Sequence, residues 1–356
     1  MRPLRWGIIG AGAIARDFST ALSGTAALSG TAALSGTAAL SGTTALSGTE
    51  AHRITHVAAP RLESAARLAQ SLGARASTSL ETLLEDPEVD ALYVASPHPF
   101  HEEAALAAIA RGKPVLIEKP LCPGVEATER VLSAARSAGV LAREGYMYRC
   151  HPLLERVAEL VRTQLGHVRL VRADFGFGSV FDPTHRKYRP EWFGGGIWDV
   201  GGYPVTLAQW VAGLNLGRNF APAEQAHFAG RTGPTGVDVL ALAQLEFPGG
   251  LLAELGCSIE LPLGTRALLY GEGGTLELEN PWLPSGDRQG TESHFVLRLR
   301  GRDAQRHTVT APPIFALEAD SFRNEWLGLP GAPHAVGQEE SSATCRLLES
   351  WRQALG

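Results

Sequence analysis

Leu4 to Ile9 is an apolar run broken only by Arg5 and Gly7. It leads straight into Gly10-Ala-Gly12-Ala-Ile-Ala15, after which helical sequence begins. A strand that enters a helix through GxGxxA constrains the fold more than any other feature of the chain. Gly10 permits the tight turn, and Gly12 lets a pyrophosphate approach the backbone at the helix N-terminus. Ala15 is small enough for the helix to lie on the strand. The pattern predicts a dinucleotide site on Gly10, Gly12, Ala13, Ile14 and Ala15. A purely structural turn shares this spacing, so the rest of the chain must decide.

The next stretch obeys no helical or strand period. Leu22, Leu28, Leu34, Leu40 and Leu46 recur every six residues in near-copies of Ala-Leu-Ser-Gly-Thr-Ala. Its glycines and threonines disfavour a long helix, and five copies are too few for a β-helical core. Removing four copies puts Ala59 about 25 residues after Gly10, close to the spacing of a dinucleotide fold. The repeat, about 21–49, is therefore expected as a surface insertion between the first helix and the second strand.

That strand runs from Arg53 to Ala59 and ends at Ala58-Ala59-Pro60-Arg61. An NAD site would place a carboxylate there to meet the adenosine ribose. None is present and Arg61 is close by, which favours NADP over NAD. A helix over 62–72 follows, stopped by Gly73. Ala91 to Ala95 reads as a further parallel strand ending in Ser96-Pro97-His98-Pro99-Phe100-His101. Ser96, Pro97 and His101 should border the nicotinamide. His101 is also placed to pack or cap the helix that begins there. His98 is a substrate-side candidate.

Val115-Leu116-Ile117 is a buried strand that stops at Glu118-Lys119-Pro120, since proline cannot extend the ladder. Lys119 then lies at the carboxyl end of a parallel strand, where open α/β sheets bind ligands. A surface lysine capping a strand is the plain alternative. Strands and helices alternating at this spacing predict an α/β, doubly wound parallel sheet over 1–146.

The texture changes over 147–356. Val168 to Phe177, Val237 to Phe247, Leu251 to Ile259, Arg266 to Tyr270 and Phe295 to Leu299 read as strands of a mostly antiparallel sheet. Within this half lies Gly194-Gly195-Gly196-Ile-Trp198-Asp199-Val-Gly201-Gly202-Tyr203. Asp199 and Tyr203 share one face of a helical turn. Tyrosine is a weak acid unless a cation lowers its pKa, and Lys119 could be that cation if the two halves close on each other. Tyr148, Arg149 and Trp198 join His98 as substrate-side candidates.

A net charge of −5 and the lack of a dense basic run argue against nucleic acid as a partner. No apolar run approaches a membrane span. Cys122, Cys150, Cys257 and Cys345 are far apart and show no metal spacing, so no metal is expected. The chain enters its first strand at once, without room for a signal peptide, so a cytoplasmic protein is expected.

Together, the GIIGAGAIA turn, Glu118-Lys119-Pro120 and GGGxxDxGxY at 194–203 resemble the glucose–fructose oxidoreductase and inositol dehydrogenase (Gfo/Idh/MocA) family. Glu144 to Pro152, with Phe247-Pro-Gly-Gly and Cys257-Ser, is most similar to its dihydrodiol and D-xylose dehydrogenase branch. The resemblance implies an N-terminal Rossmann domain and a C-terminal α+β domain with a large open sheet, often a dimer surface. A dimer or tetramer is thus implied. It also implies that Lys119, Asp199 and Tyr203 face the nicotinamide, with Glu118 among the cofactor residues. The implied activity is NAD(P)-dependent hydride transfer at a CH–OH carbon of a sugar, cyclic polyol or vicinal diol. A catalytically silent, cofactor-binding sensor of the same fold is the alternative. Two positions depart from the family: Pro60, where many NADP-using relatives carry arginine, and His98, where relatives usually carry asparagine.

Overall fold

The computed structural model describes residues 2–24 and 51–356. The hexapeptide insertion falls almost wholly on 25–50, outside the described residues. Alternation of apolar strands and amphipathic helices builds the first half. Its elements are β1 (Leu4–Ile9), α1 (Ala13–Gly24), β2 (His52–Ala58), α2 (Leu62–Leu72), β3 (Arg75–Ser77) and α3 (Leu80–Glu85). There follow β4 (Ala91–Val94), α4 (His101–Ala110), β5 (Val115–Glu118), α5 (Val125–Ala138) and β6 (Ala142–Gly145).

All six strands pair in parallel in the order β3-β2-β1-β4-β5-β6. β4 and β5 are buried along their whole length, as a sheet covered on both faces requires. The chain reverses direction across the sheet between β1 and β4, and a crevice opens at their carboxyl ends. Gly73 ends α2 in the left-handed conformation with φ 63°, its amide reaching back to Ala69 O and Gln70 O.

α6 (Leu153–Leu160) leads into the second half. Its eight-stranded sheet contains β7 (Val168–Gly176) and, after α7 (Gly202–Asn215), β8 (Gln225–Thr232), β9 (Asp238–Phe247) and β10 (Leu251–Ser258). It is completed by β11 (Ala267–Gly271), β12 (Gly274–Leu278), β13 (Glu292–Leu299) and β14 (Gln305–Thr310). The order is β14-β13-β12-β11-β7-β10-β9-β8, antiparallel except where β7 runs beside β10. α7 is buried on almost every side and covers one face of this sheet. The other face is open: Leu242 and Leu252 are 49% and 50% exposed, and their register puts them on the same side.

β8, β12 and β14 are absent from the sequence reading. Two of them, β8 and β14, alternate polar and half-exposed residues with few apolar ones. Finally α8 (Ile314–Trp326) and α9 (Gln338–Gln353) return to the first half, α8 against α1 and α9 against α5. Both halves are thereby clamped around the crevice.

Candidate active site

A cleft of about 1050 Å³ runs from the Gly10–Ile14 turn to Tyr203. Its floor comes from the carboxyl ends of the parallel strands. Gly10, Gly12, Ala13 and Ile14 lie at the end of β1, Pro60 and Arg61 after β2, Ser96, Pro97 and His98 after β4, and Glu118 and Lys119 at β5. The second half supplies Phe175, Arg186, Lys187, Trp192, Asp199, Tyr203 and Arg288.

The glycine turn behaves as its pattern requires. Gly10 has φ 103°, and a Cβ there would lie 2.5 Å from Ala95 O, so neither conformation nor space admits a side chain. A Cβ on Gly12 would meet nothing within 4 Å. That position is open to the cleft, leaving the backbone clear for a phosphate at the start of α1. Ala15 is fully buried under the helix and does not line the cleft. Arg61 precedes α2, is exposed, and has no acidic partner among the described residues. Among the described residues, Ser96 Oγ, His98 Nδ1 and Arg288 Nε are buried without hydrogen-bond partners. Open backbone and unspent donors together fit a bound dinucleotide and substrate.

Lys119 is the junction between the halves. Its Nζ donates to Asp199 O at 2.5 Å, lies 4.0 Å from Asp199 Oδ1, and stands 5.4 Å from the centre of the Tyr203 ring. Burial pushes the lysine pKa down, while Asp199 and Glu118 oppose the fall. Burial would raise the Asp199 carboxyl, but the cations Lys119, Arg186 and Lys187 outweigh it and hold its pKa below the usual range. Arg186 Nη2 is 3.5 Å from Asp199 Oδ1. Glu118 accepts a hydrogen bond from Tyr93 at 2.5 Å, and burial raises its pKa.

Tyr203 corrects one expectation. Its pKa is raised well above the usual value, first by burial and then by Glu118. The ammonium of Lys119 stands over the ring face and is committed to Asp199, so the depression expected from it is not the net result. Among the described residues the Tyr203 hydroxyl has no protein partner. Its ring rests on Phe175 and Trp282, with centres 5.1 and 5.8 Å away.

The two histidines differ. His101 is fully buried, with ring nitrogens 2.9 Å from Pro120 O and 2.8 Å from Ser96 O. It ties the β4 loop to the turn after Lys119, which matches a packing role and leaves no ring nitrogen for a ligand. His98 is held neutral, its pKa pushed down to about 3 by burial and by His101 and Lys119.

Three substrate-side candidates do not reach the cleft. Tyr148 is fully buried and its hydroxyl lies 2.8 Å from Thr206 Oγ1. Arg149 is spent on Glu340, Nη1 to Oε1 2.6 Å, inside the core. Trp198 is buried in the turn before α7 and lines no part of the cleft. Conversely, Arg186, Lys187, Trp192 and Arg288 went unread. They lie in irregular connections, where no period marks a residue as inward-facing.

Comparison with known proteins decides the family. The family described as an oxidoreductase family with an NAD-binding Rossmann fold, GFO/IDH/MocA, matches residues 4–146, and the GFO/IDH/MocA C-terminal domain matches 154–277. The trans-1,2-dihydrobenzene-1,2-diol dehydrogenase of Mus musculus is 33% identical over 362 residues, covering 99% of this chain and 97% of that protein. This chain belongs to the GFO/IDH/MocA oxidoreductase family. It is an NAD(P)-dependent oxidoreductase of two-sheet architecture. The enzyme of the same name from Bos taurus is 32% identical over 99% of the chain and 97% of its own length. A 3-ketoreductase from Actinomadura kijaniata, solved with NADP and TDP-benzene, aligns over 99% of this chain and 98% of its own at TM-score 0.78 and 25% identity. Among the described residues no helix is long and apolar enough to cross a membrane.

The open position at Gly12 makes a clean prediction. Gly12→Val should change folding stability by no more than about 1 kcal/mol in urea unfolding, because no protein atom is displaced. It should weaken dinucleotide binding at least about tenfold in a fluorescence titration. Unchanged affinity would remove the Gly10–Ile14 turn from the site.

Proposed function

We propose that this protein transfers a hydride between a nicotinamide dinucleotide and a CH–OH carbon of a sugar, cyclic polyol or vicinal diol. The observation that carries this reading is the convergence of Lys119, Asp199 and Tyr203 from two halves of the chain on one cleft. The dinucleotide, when bound, supplies the hydride acceptor or donor. Gly10, Gly12, Ala13 and Ile14 would hold its pyrophosphate, with Ser96, Pro97 and Glu118 lining the rest of its path.

Tyr203 takes the hydroxyl proton in oxidation and returns it in reduction. Its free hydroxyl and apolar backing of Phe175 and Trp282 suit that task. Lys119 holds the substrate oxygen with the donor hydrogens not given to Asp199. Asp199 keeps the ammonium charged and aimed. Neutral His98 can offer its unpartnered Nδ1 to a substrate hydroxyl. His101 shapes the loop rather than touching a ligand. The relatives' names support the substrate class: a dihydrobenzene-diol dehydrogenase, and an aldose–aldose oxidoreductase from Caulobacter crescentus with TM-score 0.79. The silent-sensor alternative loses ground, because every group that proton transfer requires is present.

NADP is the preferred cofactor in this reading. Arg61, without an acidic partner among the described residues, follows the end of β2, where a 2′-phosphate would meet it. We also place the domain boundary at 146/147, the protein in the cytoplasm, and a second copy on the open sheet face that bears Leu242 and Leu252. A sedimentation mass of one protomer would contradict that pairing.

Tyr203→Phe should lower turnover with a panel of aldoses, inositols and cyclic diols by about 10²–10⁴-fold. Dinucleotide affinity should persist, and unchanged turnover would reject the proton role. Arg61→Ala should weaken NADP by about tenfold or more, about 1.4 kcal/mol, and spare NAD. Equal loss of both would put Arg61 outside the 2′-phosphate site.

A further inference from the structure

Arg288 lies in the connection between β12 and β13, residues 279–291. This connection is anchored near its start by Trp282 and folded into a local turn near its end by Asp287. Trp282 is fully buried, donates from Nε1 to Asp174 O at 3.0 Å, and packs on the Tyr203 ring. Asp287 Oδ1 accepts from the amides of Gln289 and Gly290 at 2.8 and 2.6 Å. Between these points Arg288 reaches out of the second half to α1. Its Nη1 is 3.1 Å from Asp17 Oδ2, and Gln289 Nε2 donates to Asp17 O at 3.2 Å. Asp17 sits about one turn into the helix that the glycine turn opens. The guanidinium lines the same cleft as Lys119 and Tyr203, with its Nε unpartnered.

We propose that Arg288 is a positioning residue for proton transfer at Tyr203. Docked on Asp17, it holds the 279–291 connection across the cleft and keeps its guanidinium in the cleft that Tyr203 also lines. This rests on the reading of Tyr203 as the proton carrier.

The titratable groups around the phenol come from several elements, Tyr93 of β4 among them. β5 brings Glu118, α8 brings Glu318, and the turn before α7 brings Asp199. Tyr146 and Tyr148 present neutral rings, 5.5 and 5.8 Å away. Lys119 stands over the ring face and is engaged by Asp199. Burial and Glu118 make the proton harder to lose, and Arg288 acts against them. The Asp17–Arg288 pair is about one-third exposed on each side, so its contribution to stability is small. Its consequence is placement: one bridge links the cofactor-binding helix to the connection whose Trp282 packs on the Tyr203 ring. The substrate proton therefore meets its acceptor with the cation in position only when the connection is docked.

The test is the pH dependence of kcat and kcat/KM for oxidation of a cyclic vicinal diol. It compares the full-length protein with Arg288→Gln, Arg288→Lys, Asp17→Asn and Tyr203→Phe. Arg288→Gln should move the rising alkaline limb upward by about one pH unit, which slows oxidation about tenfold at a fixed pH below it. Arg288→Lys should recover most of that shift. Asp17→Asn should move the limb in the same direction by less, and it carries the test if Arg288→Gln does not fold. An unmoved limb in both Arg288→Gln and Asp17→Asn, with Tyr203→Phe inactive, overturns the proposal and spares the proton role of Tyr203. Full activity in Tyr203→Phe overturns both.

Discussion

A buried ammonium needs a fixed acceptor, and Lys119 finds its own in the other half of the chain. It leaves the end of β5 and donates to the carbonyl of Asp199, in the turn that precedes α7. Desolvating a cation is expensive unless a counter-charge is held close. Asp199 meets that need, and its own charge is stabilised by Lys119, Arg186 and Lys187. The arrangement ties two sheets of different topology together at the point where a parallel sheet offers its carboxyl ends. Everything else in the cleft is arranged around this junction: the glycine turn at one end, Tyr203 at the other, and His101 bracing the loop between them.

The electrostatics divide the cleft into two parts. Along the glycine turn the backbone is open, and Arg61 follows the end of β2 with no acidic partner among the described residues. Around Tyr203 the environment is apolar and acidic, with Glu118 and Glu318 buried beneath. A phenol in such surroundings keeps its proton, which suits the proton-carrying role proposed for Tyr203. Burial first, and then the nearby acids and the opposing Arg288, set how firmly Tyr203 keeps its proton.

Much of this was legible in the residues. Periodicity exposed the parallel sheet, because β1, β4 and β5 are short, largely apolar runs flanked by turn residues. The turn at Gly10 and the stop at Pro120 carry local backbone chemistry that no tertiary contact alters. The same locality located Lys119, Asp199 and Tyr203, each within two residues of a glycine or proline. What stayed hidden depends on long-range packing. β8 and β14 carry polar residues at a sheet edge and look like loops in isolation. Arg149 reads as a free cation in sequence, yet Glu340, 191 positions away, takes it into the core. Arg288 and Arg186 reach the cleft from connections whose path is set only by the folded whole.

The central claim is that Lys119 joins the halves at a centre for direct hydride transfer. The most direct measurement follows the isotope. A cyclic vicinal diol deuterated at its carbinol carbons is incubated with oxidised dinucleotide and either the wild-type protein or Lys119→Met, and the reduced cofactor is weighed by mass spectrometry. The account predicts deuterium in the cofactor with the wild type, and loss of that transfer in Lys119→Met while dinucleotide still binds. Reduced cofactor without deuterium, or undiminished transfer in Lys119→Met, would contradict it.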